Sequence, residues 1–90
     1  MKEQKKYRIE EELQKLNLVE YKAAIRIIPT VLDIAFNTFH NYRKLSISDT
    51  RDIPYDNVRK MEKIFGLKEG GLANFQVECK SLRELMQDSK

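Results

Sequence analysis

Apolar residues recur along this chain at helical spacing, and turn-forming residues interrupt them. Ile9, Leu13 and Leu16 stand at i, i+4 and i+7, one face of a helix that begins near Tyr7. Glu10, Glu11, Glu12 and Lys15 lie around the rest of that helix and read as a solvated face, while the polar residues 1–6 read as frayed. Asn17 breaks the pattern before Leu18-Val19. Tyr21, Ala24, Ile25 and Ile28 then share a face of a second helix over 19–28. At Pro29 the chain either kinks or begins a new short helix. A new start is favoured, because proline is tolerated in a first turn, where its missing N–H would be unpaired anyway.

Residues 36–44 form the next helical segment, with Phe39 and Tyr42 on one side. Residues 45–54 are rich in turn formers and lack helical periodicity, so they read as a loop, a long one. A helix over 54–65 follows, striped by Val58, Met61, Ile64 and Phe65, and Gly66 is placed to take the left-handed conformation that ends it. After a turn at Gly70-Gly71, Phe75, Val77 and Cys79 alternate with Gln76, Glu78 and Lys80, the period of a short strand that would bury Cys79. Ser81-Leu-Arg-Glu84 matches a capping box and predicts a final helix over 82–88 carrying Leu82, Leu85 and Met86. The expected fold is all-α: a helix-turn-helix bundle of about five helices, with the strand at 75–79 as an addition.

Composition narrows the function classes. Ninety residues fit one domain, and 41% hydrophobic content supports a globular core. A net charge of +3 permits a polyanionic partner without requiring one. The single cysteine, Cys79, rules out an intramolecular disulfide and fits a reducing, cytoplasmic setting. No apolar run approaches the ~20 residues that span a bilayer, so no membrane partner is expected. With one histidine, one cysteine and no closed set of metal ligands, neither an enzyme, a metal site nor a cofactor is expected.

Ile28, Leu32, Ile34, Phe39 and Tyr42 are all apolar or aromatic, the set needed to pack two helices across a tight turn. Around them the chain resembles the helix-turn-helix regulators of the XRE/Cro-repressor type, familiar from phage and mobile elements. Leu32-Asp-Ile-Ala35 and Phe36-Asn-Thr-Phe-His-Asn-Tyr42 lie along the motif's turn and second helix. Ile53 through Leu67 is similar to the family's later helix, which ends in Phe/Leu-Gly-Val. The resemblance covers about residues 19–67, leaving 68–90 as a C-terminal extension. Asp33 stands where the turn usually has Gly, Pro29 where Ala is usual, Ile25 where Gln often contacts phosphate, and Ala35 where Ser or Thr caps the helix.

The resemblance implies a sequence-specific DNA-binding regulator whose helix 36–44 enters the major groove of double-stranded DNA. Phe36, Asn37, His40, Asn41 and Lys44 would face DNA. Arg43 and Lys44 would meet phosphates, as would Arg26 and Arg51, and Thr38 could bond a phosphate oxygen through its hydroxyl. Phe36 could instead be core, and the basic residues could be plain surface. A homodimer is expected, through residues 72–88, with the strand pairing across a two-fold. The competing class is a helical protein-interaction domain that does not read DNA.

Overall fold

A computed structural model describes residues 4–89 and is all-α, with five helices: α1 (Ile9–Gln14), α2 (Leu18–Leu32), α3 (Phe36–Lys44), α4 (Tyr55–Ile64) and α5 (Leu82–Asp88). Asn17 does more than break a helix. It caps α2, its side chain accepting from the Glu20 N–H at 2.8 Å while the Glu20 carboxylate accepts from the Asn17 N–H at 3.1 Å. This reciprocal arrangement satisfies two donors that a helix start leaves unpaired.

Helix α2 does not restart at Pro29; it runs through to Leu32. The expected new start is therefore corrected. Pro29 is itself buried between Ile28 and Leu32 on the core side, and that apolar burial offsets the helix hydrogen bond the proline cannot donate. The helix ends at Asp33, which takes the left-handed conformation at φ 55°. The N–H groups of Asp33 and Ile34 return to the carbonyls of Thr30 and Pro29, closing the end in the Schellman manner. Gly66, at φ 71°, closes α4 in the same way, with Gly66 and Leu67 donating to Lys63 and Glu62.

The core is built from distant parts of the chain. Ile9, Leu13, Ile28, Phe39, Met61 and Leu72 are all essentially inaccessible to solvent, and Ile34, Tyr42, Val58, Phe65 and Phe75 pack against them. Each large apolar side chain so buried contributes about 1.5–3 kcal/mol. Helix α1 packs on α2 and α3, and α2 packs on α4. Two of these anchors, Ile9 and Leu13, precede residues 19–67, and Leu72 follows them.

Residues 4–6 are tied down rather than frayed; residues 1–3 lie outside the described residues. Isolated bridges join Lys5 to Ser46 and Tyr7 to Ala73. Backbone bonds link Lys6 to Leu45, Ile47 to Gln4, Arg8 to Leu72 and Asn74 to Lys6. The segment 4–8 is thus a strap between the 45–54 loop and residues 72–74. Lys6 adds side-chain bonds to the carbonyls of Asp49 and Arg51 at 3.1 and 2.8 Å.

No strand forms at 75–79 among the described residues, and Cys79 is exposed rather than buried. Alternating side chains need a partner strand, and the pairing available nearby is taken by Tyr7 and Ala73. From Gln76 to Ser89 every residue is exposed, and α5 buries no side chain although Ser81 caps it from Glu84 N–H at 3.3 Å. This tail gives the molecule a long axis of 58 Å and a radius of gyration of 16.0 Å, against about 12 Å for a compact domain of this length.

Candidate nucleic-acid interface

Helix α3 has two distinct faces. Phe39 is wholly buried and Tyr42 packs against the core. On the opposite side Phe36, Asn37, Asn41 and Lys44 are exposed and His40 is half-buried. Phe36 is 53% exposed, so the core alternative for it does not hold. The side chains of Asn37, Asn41 and Lys44 take no hydrogen bond among the described residues. They are donors and acceptors available to a ligand. Phe36 and His40, one turn apart, stack edge to face with ring centroids 4.3 Å apart.

Arg43 departs from the expected phosphate contact. Its side chain is only 11% exposed and forms an ion pair with Glu10 of α1. It also donates to the Tyr21 hydroxyl of α2 at 3.1 Å and lies 3.2 Å from His40 Nδ1. Its guanidinium carbon sits 5.9 Å from the Phe39 ring centre. Burial works against the charge, but the hydrogen bonds that Arg43 donates to Glu10 and Tyr21 outweigh it and hold the guanidinium above its ordinary pKa. Arg43 therefore fixes α3 to α1 and α2. Glu10, expected in a solvated face, is its partner; Glu12 is buried beside Lys15 at 2.7 Å, and of the triplet only Glu11 is exposed.

The remaining expected contacts separate. Arg26 is exposed on α2, and Lys22, one turn earlier, shares its face. Thr38 is half-buried. Arg51 sits on the 45–54 loop and is already engaged by Asp49 in a two-pronged pair, at 3.0 and 2.8 Å. That hydrogen-bonded pair holds the Asp49 carboxyl down at about 2. Sequence reasoning missed Glu10 and Tyr21 as the groups that position the helix. The inward spacing of Phe39, Tyr42 and Arg43 was the available signal.

Elsewhere, an open groove of about 710 Å³ lies between α4 and the chain around Phe75, lined by Tyr7, Ile53, Tyr55, Val58, Arg59 and Val77 among others. None of its lining residues belongs to α3. Among the described residues no cluster of His, Cys, Asp and Glu could hold a metal ion, and no helix is long and apolar enough to cross a membrane. Compared with known proteins, the chain matches no family model, no curated protein and no solved structure. Its function has to be read from the site itself.

Proposed function

We propose that this protein is a sequence-specific DNA-binding transcriptional regulator of the XRE/Cro-repressor type, which lays α3 in the major groove of double-stranded DNA. One observation carries the reading: a short helix is pinned by Phe39 and Arg43 on its inner face, while Asn37, Asn41 and Lys44 on its outer face have no partner among the described residues. A rigidly held helix with uncommitted polar side chains is what direct readout requires. Asn37 and Asn41 can pair with adenine at its N6 and N7 edge. Phe36 can touch a thymine methyl, and Lys44 and Arg26 can meet phosphates. Arg43 contributes through position and not by contact.

The same reading includes a homodimer through residues 72–88, matching two half-sites on the DNA. The strand that would have paired across the two-fold is absent, so the apolar side of α5 is the element offered: Leu82, Leu85 and Met86 are 73%, 46% and 61% exposed. A helix of seven residues is marginal in water without a partner.

Retention on immobilised duplex DNA tests the proposal. Binding is expected at low salt and should fall steeply with rising salt, log K dropping by about 0.9 per neutralised phosphate for each decade. No retention at low salt would favour the second reading, a helical protein-interaction domain. That reading draws its support from Arg43 and Arg51, whose charges are already satisfied within the protein.

A further inference from the structure

His40 is held from two sides. Its ring stacks against Phe36, and its Nδ1 lies 3.2 Å from Nη1 of Arg43. A guanidinium has only N–H groups to offer, so Nδ1 must accept and the ring proton sits on Nε2. Arg43 cannot swing away easily, because Glu10 of α1 and the Tyr21 hydroxyl of α2 bind the same guanidinium. The tautomer of a residue on α3 is thus set by groups on two other helices. Nε2 has no partner among the described residues, and no buried side-chain nitrogen or oxygen there lacks one. The Nε2–H is therefore at the surface, on the helix face that carries Asn37, Asn41 and Lys44.

We infer that His40 is a donor-only reader whose Nε2–H selects an acceptor edge in the major groove, guanine before other bases, and rejects cytosine. The inference rests on the proposal that α3 enters DNA. Guanine presents two adjacent acceptors, O6 and N7. Adenine places an amino donor beside its N7, thymine offers a single O4 beside a methyl group, and cytosine shows only an amino donor. A histidine free to switch tautomer could also accept from cytosine or adenine; this one cannot while Arg43 stays in place. Arg43, Glu10 and Tyr21 are positioning residues for that preference.

Two measurements test this independently. Nitrogen-15 chemical shifts of the imidazole in the free protein should report Nε2–H, and Arg43→Met should release a fraction of the Nδ1–H form with helix content unchanged. A parent protein carrying Nδ1–H would overturn the inference whatever the protein binds. Selection of sites from random duplexes should give one position enriched in guanine over cytosine by roughly two- to tenfold, the range of one net hydrogen bond. His40→Ala should lose that enrichment, and His40→Gln, which can both donate and accept, should move it toward adenine. Cytosine at that position, or a profile unchanged in His40→Ala, overturns the inference and leaves the DNA reading standing. If no duplex is retained at all, both fall together.

Discussion

Glu10 and Arg43 stand 33 residues apart in the sequence and meet as an ion pair, with the Arg43 side chain 11% exposed. The pair joins the first helix to the helix proposed to read DNA. Breaking it leaves a half-buried carboxylate without its partner. Arg43→Met is expected to destabilise the fold by about 2 kcal/mol, as for a hydrogen-bonded charge taken out of water. Denaturant unfolding measures this. A double-mutant cycle with Glu10→Gln should show a coupling of about 1 kcal/mol or more, and additive effects would mean that the pair does not act as a unit.

Asp33 occupies the left-handed region that a side chain enters at a cost. Asp33→Gly should leave the turn in place and raise stability by up to about 1 kcal/mol, whereas Asp33→Val should lower it by at least that much. The midpoints of chemical denaturation order the three proteins: Gly, then Asp, then Val.

Asn41 and Lys44 share a face but are assigned different work. Asn41→Ala should weaken binding to one preferred base by about 1–3 kcal/mol while sparing other sequences. Lys44→Ala should weaken all duplexes alike and reduce the salt slope by about one. Parallel titrations of the selected site and of a scrambled duplex separate the two effects. Equal behaviour of both variants with the parent would move the reading face elsewhere on the molecule.

Tyr7 titrates above its ordinary value because burial disfavours its phenolate, and because its hydroxyl donates to Asp52, whose charge repels a second negative charge. The native state thus keeps the proton that the unfolded chain loses near pH 10. The stabilisation is complete below pH 10 and is lost as pH rises toward the higher native value. Thermal melts should fall steeply above pH 10 in the parent and less so in Tyr7→Phe. At neutral pH that variant should be about 1 kcal/mol less stable, having lost the hydrogen bond.

Removal of residues 77–90 takes away no buried side chain that the structure describes. Stability should change by less than about 0.5 kcal/mol. Self-association, measured by sedimentation at several concentrations, should be lost. A truncated chain that still dimerises would place the interface on the helical body.

The sequence carried the local features well. Helix 36–44, the cap at Ser81 and the end at Gly66 all depend on neighbours a few residues away, and the structure places each where local chemistry puts it. Longer-range effects decided the rest. Pro29 has the chemistry of a helix start, yet Ile28 and Leu32 are buried on either side of it, and continuing the helix keeps both in the core. Alternation at 75–79 is the pattern of a strand, but a strand needs a second edge, and Tyr7 meets Ala73 instead. The outward polar face of α3 was legible from spacing. Spacing also put Arg43 on the side of Phe39, but its charge argued for solvent, and the partners that hold it inward lay in two other helices.

The strap at residues 4–8 bears on the order of events during synthesis. Its two sides are covered by backbone made about 40 and 67 residues later, around Ser46 and Ala73. Leu72, wholly buried, arrives with the second of these. Residues 4–8 must therefore wait, unpaired, until the segments around Ser46 and Ala73 have been made. Folding should then be a late closure of the whole body, limited by the entropy of joining distant segments.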